Sequence, residues 1–115
     1  MRLFTPLVAL FGLIASTSAY AAPVYLTCPM QTNGTPSPID IALDEAAGTA
    51  TVFVRENGRT HQMRAAFTRD EVTFQTNAVS YKLSRVSLTL VRSVPAINRL
   101  ETAVCSFASP VKRAF

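Results

Sequence analysis

Between Gly48 and Phe67 the chain reads Gly-Thr-Ala-Thr-Val-Phe-Val-Arg-Glu, then Asn57-Gly58, then Arg-Thr-His-Gln-Met-Arg-Ala-Ala-Phe. Asn-Gly between two β-prone runs is a strong local hairpin signal, because a type I′ turn needs positive φ at both central residues. With Asn57 and Gly58 as a two-residue loop, Glu56 faces Arg59. Val54 then pairs with His61, Val52 with Met63, Ala50 with Ala65 and Gly48 with Phe67. These residues share one face, and Arg55–Thr60, Phe53–Gln62 and Thr51–Arg64 share the other. Both strands agree on the apolar side, as a correct register requires. The expectation is a hairpin with His61 on its packing side and two arginines, Arg55 and Arg64, on its outward side.

Residues 1–21 read as an export signal rather than as part of a fold. Met1-Arg2 is a short positive start, Leu3 to Ala15 is an apolar run, and Ala19-Tyr20-Ala21 is a small-residue cleavage site. The run falls short of the roughly 20 apolar residues that span a bilayer, so no membrane span is expected after cleavage. Lipidation at Cys28 is not expected, since Tyr25-Leu26-Thr27 precede it. Cleavage after Ala21 leaves 94 residues, one domain over 22–115. Export makes Cys28 and Cys105 disulfide partners rather than two reduced thiols or a two-cysteine metal site, which lacks further ligands. Such a bridge closes nearly the whole mature chain.

The rest of the chain repeats the hairpin rhythm. Val24, Leu26 and Cys28 alternate with Tyr25 and Thr27, and Ile39, Ile41 and Leu43 alternate with Asp40 and Ala42. Pro29 to Pro38 is rich in turn formers and reads as a loop. Its Asn33-Gly34-Thr35 is also a glycosylation sequon, which matters only in a eukaryotic source, whereas the signal is bacterial in style. Asp44 to Gly48 is a turn with room for a short helix. Pairing Gln75 with Ala78 places Phe74 beside Val79 and Val72 beside Tyr81. Leu83 keeps the odd-numbered face while Val86, Leu88 and Leu90 are even, so a bulge or tight turn belongs at Ser84-Arg85. A four-residue loop Pro95–Asn98 sets Arg92 against Glu101, Leu90 against Ala103, Leu88 against Cys105 and Val86 against Phe107. The charge pair is expected on the surface. The tail from Ser109 to Phe115 is expected to be irregular. The fold class is therefore all-β, a small antiparallel meander of seven or eight strands forming a barrel or sandwich. A bridge between the first and last strands favours closure.

Chemistry-bearing residues are sparse. His61 is the lone histidine and lacks the nucleophile and orienting carboxylate of a triad. The adjacent pairs Asp44-Glu45 and Asp70-Glu71 point apart as sequence neighbours do, so no catalytic residues and no cofactor are expected. His61 and Met63 share a strand face and with Met30 offer soft ligands suited to Cu(I), a weak metal candidacy against the plainer reading of core Met and rim His. Arg55, Arg64 and Arg85, with Lys82, form a candidate anion-binding face. Without Arg2 the chain carries ten Lys and Arg against seven Asp and Glu, a mild positive charge that suits phospholipid, lipopolysaccharide or cell-wall polymers. No basic run or interleaved aromatic stripe supports nucleic-acid binding.

Two resemblances follow from short motifs. Asp44-Glu45-Ala46-Ala47-Gly48-Thr49, Leu83-Ser84-Arg85-Val86 and the late Cys105 make the chain similar to uncharacterised small exported one-disulfide β proteins of Gram-negative bacteria, which implies the fold and no particular activity. In layout, Tyr25-Leu26-Thr27-Cys28 and Ala103-Val104-Cys105 resemble the cysteine slots of periplasmic C-type lysozyme inhibitors. Their Ser/Gly-rich loop leading to a Tyr has no counterpart; Asn77-Ala78-Val79-Ser80-Tyr81-Lys82 is nearest and lacks the glycines. The expected function is a non-enzymatic exported binding or envelope-associated module, with an anionic envelope component or another protein as partner. The alternatives are a lysozyme-type inhibitor and a copper-binding periplasmic protein.

Overall fold

A computed structural model describes residues 22–109; residues 1–21, expected to be an export signal, and the tail beyond Ser109 lie outside the described residues. Eleven short strands follow in order: β1 Val24–Cys28, β2 Gln31–Thr32, β3 Thr35–Pro36, β4 Ile39–Asp44, β5 Thr49–Val54, β6 Arg59–Phe67, β7 Glu71–Gln75, β8 Ser80–Ser84, β9 Thr89–Val94, β10 Arg99–Val104 and β11 Ser106–Phe107. Nine form one antiparallel sheet in the order β10-β9-β8-β7-β6-β5-β4-β1-β11, and β2 and β3 make a separate small hairpin. β10 and β11 are consecutive in the chain yet stand at opposite edges of the sheet. The sheet therefore curls into a nearly closed barrel, which removes most of the unpaired edge that an open meander would expose.

The seam is where β1 meets β11, through Leu26–Phe107 and Thr27–Ser106. The next position along is the Cys28–Cys105 disulfide, which links residues 77 apart. Backbone bonds flank it: the Cys105 N–H donates to the Leu88 carbonyl and the Ala108 N–H to the Tyr25 carbonyl. The expected bridge is present, and it fastens the two ends of the meander.

Alternation decides the interior. Leu26, Cys28, Ile39, Ile41, Leu43, Ala50, Val52, Met63, Val72, Phe74, Tyr81, Leu83, Leu90, Ala103 and Cys105 point inward and are buried. The Phe74 and Tyr81 rings stack across β7 and β8 with centroids 4.9 Å apart. Residues of opposite parity, such as Thr51, Gln62, Arg64, Thr73 and Lys82, stand on the outside.

Two of the three expected registers shift, both by two residues. β5 and β6 pair Val54 with Arg59, Val52 with His61 and Ala50 with Met63. Arg55–Gly58 thus form a four-residue loop, in which the Gly58 N–H donates to the Val54 carbonyl. Gly58 has φ +70°, but Asn57 does not have the positive φ that a type I′ turn needs. Asn57 instead uses its side-chain oxygen to accept from the Arg59 N–H, an Asx-type contact. β7 and β8 likewise pair Phe74 with Tyr81 and Val72 with Leu83 around a Thr76–Val79 loop. A slip of two preserves every side chain's face, so Val52, Met63, Phe74 and Tyr81 stay in the core, whereas His61, expected on the packing side, is exposed near the end of the hairpin. The third register is as expected at Arg92–Glu101 and Leu90–Ala103.

The type I′ turn does occur, at the other Asn-Gly. Asn33 (φ 53°) and Gly34 (φ 78°) form the two-residue loop between β2 and β3, inside the segment expected to be loop. The parity switch is a tight turn over Arg85–Leu88 with Leu88 at φ 62°, so Val86 is thrown out to solvent instead of meeting Phe107. Glu45–Gly48 is a turn, and no helix forms over Asp44–Ala47.

Candidate functional site

Alternate turns of a meander fall at opposite ends of its barrel, so the two ends can be compared residue by residue. One end receives the turns β5–β6, β7–β8 and β9–β10 together with the β2–β3 hairpin. It is plugged. Met30 is buried there, and Arg92 and Glu101 follow the inward parity of Leu90 and Ala103, so their side chains enter the barrel beside Tyr81. Arg92 Nε donates to Glu101 Oε1 at 2.7 Å, and Nη2 donates to the same oxygen. Each side chain is only 13% exposed. The expectation of a surface pair is corrected: the parity switch before Leu88 turns both residues inward. Nη2 also points to the Gln31 carbonyl and Thr32 Oγ1 at 3.5 Å, and Arg99 donates to Asn33 Oδ1, so the β2–β3 hairpin lies over this plug. Burial pushes the Tyr81 phenol above its ordinary value, with Arg92 pulling the other way.

The other end receives β4–β5, β6–β7 and β8–β9 and is open. A cavity of about 260 Å³ there is lined by inward-facing apolar residues, with Leu26, Leu43, Val72 and Leu83 low and Val24, Phe67, Leu88 and Phe107 around the mouth. Phe107 is 71% exposed although its parity is inward.

The outer wall carries a third feature. A shallow groove of about 950 Å³ runs across β6 to β9, lined on its outward face by Arg64, Ala66, Thr73, Gln75, Ser80, Lys82, Val91 and Ser93, with Thr73 and Gln75 on the strand between the two cations. Thr73 sits directly between Ala66 and Lys82 in the pairing, and Ser80 between Gln75 and Ser93. Strand spacing and rise put the Arg64 and Lys82 backbones roughly 12 Å apart. Neither cation is within ion-pair distance of a carboxylate among the described residues.

The three arginines expected to share a ligand face are distributed differently. Arg55, in the β5–β6 turn, makes a two-point ion pair with Asp40: Nε to Oδ2 at 2.9 Å and Nη2 to Oδ1 at 2.8 Å. The Arg55 guanidinium, helped by the Thr27 hydroxyl, holds the Asp40 carboxyl below its ordinary value despite partial burial. Arg85, in the β8–β9 turn at the open end, pairs with Glu45 at 2.9 Å, donates to the Thr68 carbonyl and lies over the Phe67 ring. Only Arg64 of the three lines the groove, where it is joined by Lys82. Inward parity on β8 and β9 was the sequence signal that could have found Arg92; nothing local marks the open cavity, which depends on barrel closure.

For soft metals, Met30 and Met63 are built into the core while His61 emerges exposed at the plugged end. No group of three or more His, Cys, Asp or Glu comes together among the described residues. No helix among them is long and apolar enough to cross a membrane. Comparisons with known protein families, with curated proteins and with solved structures find no match for this chain.

Proposed function

We propose that this protein is a non-enzymatic binding module of the cell envelope, exported by residues 1–21, and that the β6–β9 groove holds a polyanionic, hydroxyl-rich envelope glycan or glycolipid headgroup. The observation that carries this reading is the placement of Arg64 and Lys82 about a trough of hydroxyls and an amide, with no carboxylate partner for either cation among the described residues. Arg55 and Arg85 pair with Asp40 and Glu45 and lie outside the groove, so they have no part in this site. Two such cations, on backbones about a dozen ångströms apart, can engage two anionic groups of one ligand, and Thr73, Gln75, Ser80 and Ser93 offer donors and acceptors to sugar hydroxyls. A disulfide at the barrel seam fits an oxidising compartment, the periplasm or outside.

The test is co-sedimentation of the purified exported protein with lipopolysaccharide micelles. Binding is expected to weaken with added salt and by about tenfold in R64A/K82A, which corresponds to about 1.4 kcal/mol over two surface contacts. Equal binding by parent and variant, or none by the parent, would overturn the assignment. The mass of the exported protein reads the processing site directly, and a mass beginning elsewhere than Ala22 removes that part of the proposal.

A further inference from the structure

The barrel has one plugged end and one open end, and the open cup is unused by the groove on the outer wall. Every residue lining it is of inward parity or belongs to the turns around it, so the cup is the unfilled top of the core and not a surface dimple. Its floor, Leu26, Leu43, Val72 and Leu83, is aliphatic, and no buried side-chain nitrogen or oxygen lacks a partner among the described residues. An occupant of the floor therefore needs no hydrogen-bonding groups. The volume, about 260 Å³, lies just under the roughly 300–1,000 Å³ of sites for drug-sized ligands, which suits one chain and excludes a fused-ring cofactor. With the consecutive β10 and β11 counted as one stave, the barrel has eight, the size at which side chains fill the interior or leave room for one small ligand.

The rim supplies the polarity. Arg85 and Glu45 line the cup and pair across it, from the β8–β9 turn to the β4–β5 turn, 40 residues apart in sequence. The pair is solvent-exposed enough to exchange, with side chains 35% and 48% exposed. Ala22 lines the same cup. On the processing proposed above, its α-ammonium is the new chain start, and the charged groups lining the cup are then two cations and one carboxylate.

We infer that the cup binds a single-chain carboxylate amphiphile, a medium-chain fatty acid, with its tail on Leu26, Leu43, Val72 and Leu83 and its carboxylate competing with Glu45 for Arg85. The ammonium's part in this rests on cleavage after Ala21; the tail site does not.

The experiment titrates the exported protein, its N-terminus read by intact mass, with hexanoate, octanoate and decanoate below their micellar concentrations. Isotope-labelled backbone amide spectra map the response. Each methylene taken into the cup is expected to tighten binding about fourfold, with shifts at Leu26, Leu43, Val72 and Leu83. Arg85→Gln weakens decanoate by up to about fivefold, the scale of one exposed ion pair. Glu45→Gln tightens it, because Arg85 loses its internal competitor; a merely structural rim pair gives no such opposite signs. Decanol binds more weakly than decanoate, and decyltrimethylammonium more weakly still. No chain-length dependence, shifts centred on Arg64 and Lys82, or weakening by Glu45→Gln would each overturn the inference. Decanoate binding by a protein that starts upstream of Ala22 would support the tail site and overturn the ammonium's role. Binding by R64A/K82A at parental strength separates this site from the groove.

Discussion

The Arg92–Glu101 pair gives the sharpest stability test. Two ionised side chains, each 13% exposed, sit at the plugged end of the barrel with Arg92 Nε and Nη2 both directed at Glu101 Oε1. Glu101→Gln keeps the shape and removes the negative charge, leaving the guanidinium with the long contacts to Gln31 and Thr32 and the Tyr81 side of the cavity. Removing one partner of a buried pair costs roughly 3–5 kcal/mol, and the residual water access here places this one at the lower end, about 3 kcal/mol. Replacing both residues, as in R92M/E101M, removes both desolvation penalties and is expected to stay within about 1 kcal/mol of the parent. Urea unfolding followed by far-ultraviolet circular dichroism reads both. A small domain's slope of somewhat over 1 kcal/mol per molar urea turns the single variant's loss into a midpoint drop of about 2–3 M. A loss below about 1 kcal/mol in Glu101→Gln would mean the pair behaves as a surface pair, and the burial argument fails.

Three further outcomes follow from the same geometry. Breaking the Cys28–Cys105 bridge, by reduction or as C28A/C105A, releases a loop of 77 residues and is expected to cost about 4.5 kcal/mol on the chain-entropy account, while thiol titration of the denatured, unreduced protein should find no free thiol. Asp40 titrates below its unfolded value in the fold, so the stability it adds is complete above about pH 4 and is lost as pH falls through the lower folded value; Asp40→Asn should flatten the acid limb of the stability–pH curve, and an unchanged limb refutes the pairing with Arg55. Tyr81 titrates above its unfolded value because it is buried, so its contribution is complete below about pH 10 and is lost as pH rises through the folded value. Tyr81→Phe should therefore resist alkaline unfolding better than the parent relative to its own stability at pH 7.

What could be read from the sequence was side, not register. The period of two fixes which residues face the core, and a slip of two leaves that unchanged, so Val52, Met63, Phe74 and Tyr81 are core residues under either pairing. Loop length is decided by dihedrals that a dipeptide cannot announce. Asn57-Gly58 and Asn33-Gly34 are the same words, yet only Asn33 takes positive φ. At 57–58, a four-residue loop lets the Val54 carbonyl find the Gly58 N–H and the Asn57 oxygen the Arg59 N–H. The β9–β10 register was legible because Pro95 fixes where β9 must stop, and with four loop residues everything behind it follows. The same reading set Arg92 against Glu101 but missed their burial, although the parity that Arg92 shares with Leu90 already pointed it inward. The candidate sites were legible only as parts. Arg64 and Lys82 are far apart in sequence, and the strand order alone makes them neighbours. The cup has no sequence signature, because its walls come from strands at both ends of the chain.

β1 enters the barrel and β11 leaves it on the same rim, as the Tyr25–Ala108 backbone bond and the Leu26–Phe107 pairing require. A label attached at Val24 or Phe107 would therefore stand at the mouth of the open cup, where it mimics or masks an occupant. Labels meant to leave that mouth clear belong in the Arg55–Gly58 or Pro95–Asn98 turns, at the opposite pole.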